Sequence, residues 1–367
     1  MHALIEESKS IVNCGSASGS STARDQILSE QISPQKVEAA NSGCGLCRPA
    51  DDRGAADTAV SCCEAARALF WRHVASRCLV DRRKIGNVTR SVVTGADGLL
   101  GTALLATLRA KGLDAVGVGR RTVDLERPET IAGIAALRPD VVFNCAAWTD
   151  VDGCARDPDR ALRINGEGAG LVAEAAARSK ALVVQISTNE VFEGITDHVY
   201  AESDPLLPIN PYGVSKAAGE RSVASATDRH LIIRTAWLFG PNNGFPARIR
   251  RAAAALNPSE RLPLVDDEWG NPTPVARLAP AIVQATDIAL GDSSLRTLHL
   301  AGNPRTTRYD WGVLVLRAAG RFAIRIKQRD YSRASTVPSH AVLLTARAVS
   351  IGIGPITWED IADGGSA

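Results

Sequence analysis

The stretch S-V-V-T-G-A-D-G-L-L-G, residues 91–101, does most to limit what this chain can fold into. A short β-branched run enters a turn with glycines at 95, 98 and 101. It leaves as T-A-L-L-A-T-L-R, residues 102–109, whose apolar positions recur at helical spacing. Glycine suits such a turn because the backbone takes angles that a Cβ opposes, and because a diphosphate can then approach bare backbone. The N–H groups at a helix start lack partners, and the peptide dipoles there favour an anion. An ordinary glycine turn has the same composition, so the neighbours decide. A second strand at 114–119 completes the strand–helix–strand unit that a dinucleotide site needs.

The alternation continues through much of the chain. Strands are expected at 141–144, 181–187 and 230–235, with helices near 128–137, over 159–178 and from Tyr212 onward. Continuously apolar strands separated by helices indicate a parallel sheet covered on both faces. The expected fold class is α/β, a doubly wound parallel sheet of Rossmann type, with a smaller irregular C-terminal part that binds substrate. The dinucleotide-binding domain is expected over 88–240 with a contribution from about 275–300, and 241–367 forms mainly the substrate-binding part. Residues 1–87 differ: 8–54 are rich in Ser, Gly, Ala, Asp and Gln without hydrophobic periodicity, the composition of a mobile extension, with one helix expected at 57–78.

Six of the eight cysteines (Cys14, Cys44, Cys47, Cys62, Cys63 and Cys78) lie in that extension. Their spacings match neither a zinc nor an iron–sulfur pattern, so no metal is expected. Cys145 and Cys154 read as a strand-end thiol and a helix thiol, and no disulfide framework is expected. A formal net charge of +2 gives no basic face for nucleic acid or an anionic membrane. No apolar run reaches the roughly 18 residues that span a bilayer, and no basic start leads into an apolar segment. A soluble, cytoplasmic protein is the expectation.

The second chemical signal is Y-G-V-S-K, residues 212–216. Four residues apart on a helix, a phenol and an ammonium share a face. A nearby cation favours phenolate and draws a tyrosine towards the working range of a general acid. The pair follows a strand ending in Ser187-Thr188, and in a doubly wound sheet residues just beyond strand ends converge on the cofactor crevice.

Together with N-C-A-A-W-T-D-V-D (144–152), S-T-N-E-V-F-E-G (187–194), R-T-A-W-L-F-G (234–240) and D-D-E-W-G-N-P-T (266–273), these motifs resemble the extended short-chain dehydrogenase/reductases. Within them the chain is similar to the dTDP-4-dehydrorhamnose reductases, from about residue 88 to 360. The resemblance implies reduction of the C4 ketone of a nucleotide-linked 4-keto-6-deoxysugar, giving dTDP-L-rhamnose. Tyr212 would then be proton donor, Lys216 would lower its pKa and hold the nicotinamide ribose, and Thr188 would hydrogen-bond the substrate carbonyl. The resemblance also implies a phosphate turn of Gly95, Gly98 and Gly101, with Leu99 and Leu100 as backbone contacts. Asp124 and Leu125 would lie on the adenine side, and Ala146, Ala147 and Thr149 would form the ribose and nicotinamide wall. Thr149, Val151, Glu190 and Trp237 would border the sugar, Trp237 packing on it.

Arg120-Arg121 stand at the end of the second strand, where NAD-specific sites place a carboxylate, so NADPH is favoured with NADH as the other possibility. The chain departs from the family at Leu99, often Gln, and at Asn189-Glu190, where the best-known members have D-Y. A buried carboxylate at 190 needs a partner or a raised pKa. Two readings of other kinds are a regulatory binding module, like the β subunit of methionine adenosyltransferase, and a sugar-nucleotide epimerase or dehydratase. Assembly as a homodimer is compatible with all of them. Asp266-Asp267-Glu268 reads as a solvated acidic loop, and Trp311, Tyr331 and Trp358 as core or lid packing.

Overall fold

Residues 90–362, apart from 196 and 258, are described by a computed structural model. The extension, its helix and its six cysteines lie outside the described residues. Strand β1 (Ser91–Thr94) runs into helix α1 (Leu99–Ala110) and returns through β2 (Ala115–Val118). Two one-turn helices, Pro128–Ile131 and Gly133–Ala136, replace the single helix expected over 128–137. They lead to β3 (Val141–Asn144) and α2 (Val151–Arg156). The long helical stretch expected next is composite: Pro158–Ala161, a π-helical segment Leu162–Glu167, then α3 (Gly168–Ala177). Strand β4 (Leu182–Thr188), helix α4 (Pro211–Ala226) and β5 (His230–Thr235) follow. Beyond them come α5 (Phe245–Ala255), β6 (Leu262–Val265), α6 (Val275–Gly291), β7 (Thr297–His299), α7 (Arg308–Ala318) and β8 (Ala323–Ile326).

Six strands pair in the order β7-β5-β4-β3-β1-β2, every pair parallel. This is the doubly wound Rossmann-type sheet. The side-chain alternation of a strand explains its two coverings. Val92, Val142 and Val183 pack on one face with Val172, Ala173 and Ala176 of α3, while Val93, Phe143 and Val184 face Leu104 and Leu108 of α1 and Leu278 and Ile282 of α6. Each such leucine, fully buried, contributes about 1.5–3 kcal/mol. Strands β6 and β8 pair apart from this sheet, beside a separate cluster that contains Trp311 and Trp358. Among the described residues no helix is long and apolar enough to cross a membrane.

The strand order reverses between β1 and β3, and a polar ladder crosses their ends. Thr94 donates to Asn144 Oδ1 (2.6 Å), and Asn144 Nδ2 donates to Gln185 Oε1 (2.7 Å). A second polar link lies under α4. Arg234 of β5 donates to both carboxylate oxygens of Glu220 of α4, with Nη2 at 2.8 Å from Oε2, and the Ser187 hydroxyl donates to the same carboxylate. Both charged side chains are almost wholly enclosed, so each depends on the other for solvation. Replacing Glu220 with alanine leaves a buried guanidinium unpaired. The expected cost is about 3–5 kcal/mol in urea denaturation, and a loss below about 1 kcal/mol contradicts this account.

Candidate functional site

At the reversal point Gly95 has φ +62°, and an added Cβ would lie 2.7 Å from Ala146 N of the neighbouring strand's exit. A Cβ on Gly101 would meet the carbonyl oxygen of Gly95, so the turn and the helix start can touch only without side chains. Helix α1 begins at Gly98 with no side-chain cap and no acidic residue in its first turn. That leaves backbone donors and a positive helix end facing outward, the arrangement a diphosphate requires. The residues present therefore fit a dinucleotide.

A cavity of about 900 Å³ extends from this turn. Gly95, Gly98, Leu99, Leu100 and Gly101 line one end, and Ala147, Thr149 and Val151 continue the wall. Thr188, Glu190, Tyr212, Lys216 and Trp237 line it further along. The structure thus brings together thirteen of the residues singled out in the sequence, all of them on this one cavity. Arg120, Asp124, Leu125 and Ala146 are outside its lining. Leu125 is a core residue packed against α3, and Ala146 backs the glycine turn. Asp124 closes the loop after β2, accepting from the Glu126 amide (3.1 Å). Arg120 is exposed and pairs with Glu126 at 3.5 Å and Asp124 at 3.8 Å.

Helix α4, which bears Tyr212 and Lys216, has its start fixed twice. Asn210 caps it, its Oδ1 accepting from Gly213 N at 2.7 Å, and Pro211 occupies the first turn. Glycine at 213 lets the helix seat on the carbonyl of Glu190, which a Cβ would strike. The Asn210 amide also donates to Glu190 Oε2 (2.7 Å) and to the Thr336 carbonyl (3.0 Å). One turn on, Ser215 donates to the Tyr212 carbonyl and accepts from Asn165 Nδ2, whose Oδ1 holds the Trp148 amide at 2.8 Å. The π-helical segment is what brings Asn165 between the wall and α4.

The resemblance has Lys216 lowering the Tyr212 pKa, while the shifts on the phenol itself come from other groups. Burial pushes the Tyr212 phenol well above its ordinary pKa, the Glu190 carboxylate adds to this, and only the Thr188 hydroxyl opposes it. Lys216 instead donates to the Ile186 carbonyl at 2.7 Å. Burial lowers its own pKa to about 8, with Glu220 holding the charge on. Thr188 Oγ1 lies between Asn189 Oδ1 and the Glu190 amide, both at 3.2 Å, and still borders the cavity. Glu190, half-buried, has both features required of it, an amide partner and a pKa raised to about 7, chiefly by burial.

The far end of the cavity is cationic in a way the sequence did not disclose. Arg248, Arg308 and Arg333 come from α5, the start of α7 and a C-terminal strap. Nothing in their local sequence marks them, because the tertiary fold alone makes them neighbours. Asn210, by contrast, was detectable as a capping residue before proline. Arg308 lies 3.6 Å over the indole of Trp237 and donates to Glu268 (3.0 Å), while Trp311 stacks parallel to Trp237 at 6.0 Å. Trp237 itself has φ 44°, an uncommon conformation for a bulky residue. Arg308 and Trp311 thus pack on the indole, which also borders the cavity. The acidic run is not solvated as expected. Asp266 pairs with Lys327 (2.9 Å), Asp267 accepts from the Gln328 amide, and Glu268 holds Arg308, because the start of α7 and the chain just after β8 run alongside.

Comparison with known proteins agrees with this geometry. A family model described as "RmlD substrate binding domain" matches residues 89–363. The dTDP-4-dehydrorhamnose reductase of Streptomyces griseus is 33% identical over 276 residues, covering 73% of this chain and 89% of that protein. The crystal structure of the dTDP-4-dehydrorhamnose reductase of Bacillus anthracis in complex with NADP has a TM-score of 0.69 at 27% identity, covering 75% of this chain and 98% of that one. The corresponding protein of Clostridium acetobutylicum gives 0.68 at 28% identity, over 74% and 96%. A parallel sheet with a glycine turn at its reversal point, a Y-x-x-x-K helix on the same cavity and these matches lead to one assignment: the chain belongs to the RmlD substrate-binding-domain family, that of the dTDP-4-dehydrorhamnose reductases.

Proposed function

We propose that the protein reduces the C4 ketone of a nucleotide-linked 4-keto-6-deoxysugar, dTDP-4-dehydro-L-rhamnose, to the alcohol at the expense of NADPH. The observation that carries this reading is the convergence of Tyr212, Thr188 and Lys216 on the cavity that begins at the glycine turn. When bound, the nicotinamide nucleotide supplies the hydride. The turn of Gly95, Gly98 and Gly101 with the N-terminus of α1 would hold its diphosphate, and Ala147 and Thr149 would flank the ribose.

The chain's own contribution is to the oxygen. The Thr188 and Tyr212 hydroxyls would donate to the carbonyl and stabilise the alkoxide that forms from it. Tyr212 stays protonated across the neutral range because its pKa is raised, so a proton is always present for transfer. An alkoxide is a stronger base than a phenolate, which gives the transfer its direction. Lys216, an enclosed cation below about pH 8, would favour the phenolate left behind. Arg248, Arg308 and Arg333 would meet the diphosphate of the sugar nucleotide, since bidentate guanidinium groups suit phosphate oxygens. A purely regulatory module has no chemical use for a phenol, an ammonium and a hydroxyl turned to one open cavity.

Tyr212→Phe is expected to lower kcat about 10²-fold or more with dTDP-4-dehydro-L-rhamnose and NADPH while leaving NADPH binding, followed by fluorescence, unchanged. Unaltered turnover in that variant overturns the proton-donor assignment. Because the folded-state pKa of Lys216 is lowered to about 8, its charge is present below that pH and lost above it. kcat/KM is therefore expected to fall as pH rises past about 8, and this limb should disappear in Lys216→Arg, whose guanidinium does not titrate there. Replacing Arg120 and Arg121 together with alanine is expected to raise KM for NADPH about tenfold or more and to leave NADH little changed, a guanidinium–phosphate contact being the difference.

A further inference from the structure

Among the ionisable groups on the cavity that ketone reduction does not use is Glu190. Glu190 follows the C-terminal end of β4 directly after Thr188 and Asn189, and its carbonyl supports the turn of α4 that bears Tyr212. Its side chain is kept in place from one side by Asn210 at 2.7 Å and is otherwise turned to the cavity it lines. A carboxylate therefore shares one chamber with the two hydroxyls, of Thr188 and Tyr212, that the proposed function directs at a carbonyl oxygen. A base beside hydroxyl donors to a ketone oxygen is the arrangement that removes a proton from the carbon next to the carbonyl.

We propose that Glu190 catalyses reversible enolisation of the bound 4-keto sugar, a hydron-exchange activity distinct from reduction. The inference rests on the proposed function only in that the cavity takes a 4-keto sugar nucleotide. In the step, a Glu190 oxygen takes the proton from a carbon adjacent to C4. The C–H electron pair becomes the new C=C bond, and the carbonyl π pair moves to O4, where the Thr188 and Tyr212 hydroxyls receive the charge. Return of a hydron from the Glu190 carboxyl to the same carbon restores the ketone. A carboxyl open to the cavity exchanges its proton with solvent between the two events. Nothing is oxidised or reduced, and no co-reactant is consumed.

The charges around Glu190 suit this use. Tyr212 of α4 and Cys154 of α2 face it as neutral groups, Glu268 repels it, and Arg333 and Arg308 attract it. Burial, the largest influence, leaves it titrating at about 7, where a base both ionises and retains proton affinity at neutral pH.

The test uses the full-length protein, dTDP-4-dehydro-L-rhamnose and D2O, with no nicotinamide nucleotide, following the H3 and H5 signals by proton NMR. Loss of one signal well above the protein-free rate is expected, rising as pH passes through about 7. Glu190→Gln, which keeps the acceptor for Asn210, should lower that rate about 10²-fold or more, while Glu190→Asp retains a measurable part of it. Thermal melts of both variants establish that they are folded. Absence of exchange in the wild-type protein, or equal exchange in Glu190→Gln, overturns the proposal. NADPH oxidation measured on the same samples separates the two ideas. Reduction without exchange removes only this inference, whereas a folded protein that neither reduces nor exchanges removes the proposed function as well.

Discussion

The internal ion pair between Arg234 and Glu220 is the contact on which the site's geometry depends. It joins α4 to β5, and through the Ser187 hydroxyl to β4, so helix and sheet cannot shift independently. Lys216 and Tyr212 lie one and two turns ahead of Glu220 on the same helix face, and inherit their positions from this anchorage. Desolvated charges are a costly way to join two elements, and hydrophobic groups of equal volume often do as well energetically. What the pair adds is direction, because a two-point guanidinium–carboxylate contact fixes rotation as well as distance.

Burial then determines the protonation states. The phenol, the ammonium and the Glu190 carboxyl each move towards the uncharged form: Tyr212 up, Lys216 down, Glu190 up. Specific partners modify these shifts without reversing them. Glu220 returns part of the charge to Lys216, and Asn210 returns part to Glu190. A nearby ammonium is a correct general reason for a more acidic tyrosine, yet for Tyr212 burial is the larger influence.

This contrast explains what could be read from the chain alone. The glycine turn, the valine-rich strands and the spacing of Tyr212 and Lys216 are local patterns, since each depends on residues a few positions apart and survives as sequence. The sheet followed from them, whereas several of the thirteen cavity residues, Glu190 and Trp237 among them, came only with the family resemblance. Other features have no local signature. Arg248, Arg308 and Arg333 meet only after α5, α7 and the strap have packed, and the acidic run at 266–268 finds its cations at the start of α7 and at the end of β8. Leu125, placed on the adenine side by the resemblance, has its side chain packed in the core against α3. Identity of type at a motif position does not settle which way a side chain faces.

The cavity is composite in origin. Its nucleotide end is cut from the first strand–turn–helix unit, and its opposite end from α5, α7 and the strap that Asp152 tethers through the Ser335 amide and Arg333. These regions lie far apart along the chain, the turn at 95–101 and the other end from 245 onward. Substitutions in the later segments can therefore reshape the acceptor without loosening the grip on the hydride carrier, so new sugar preferences are accessible to such a scaffold while its redox half stays unchanged.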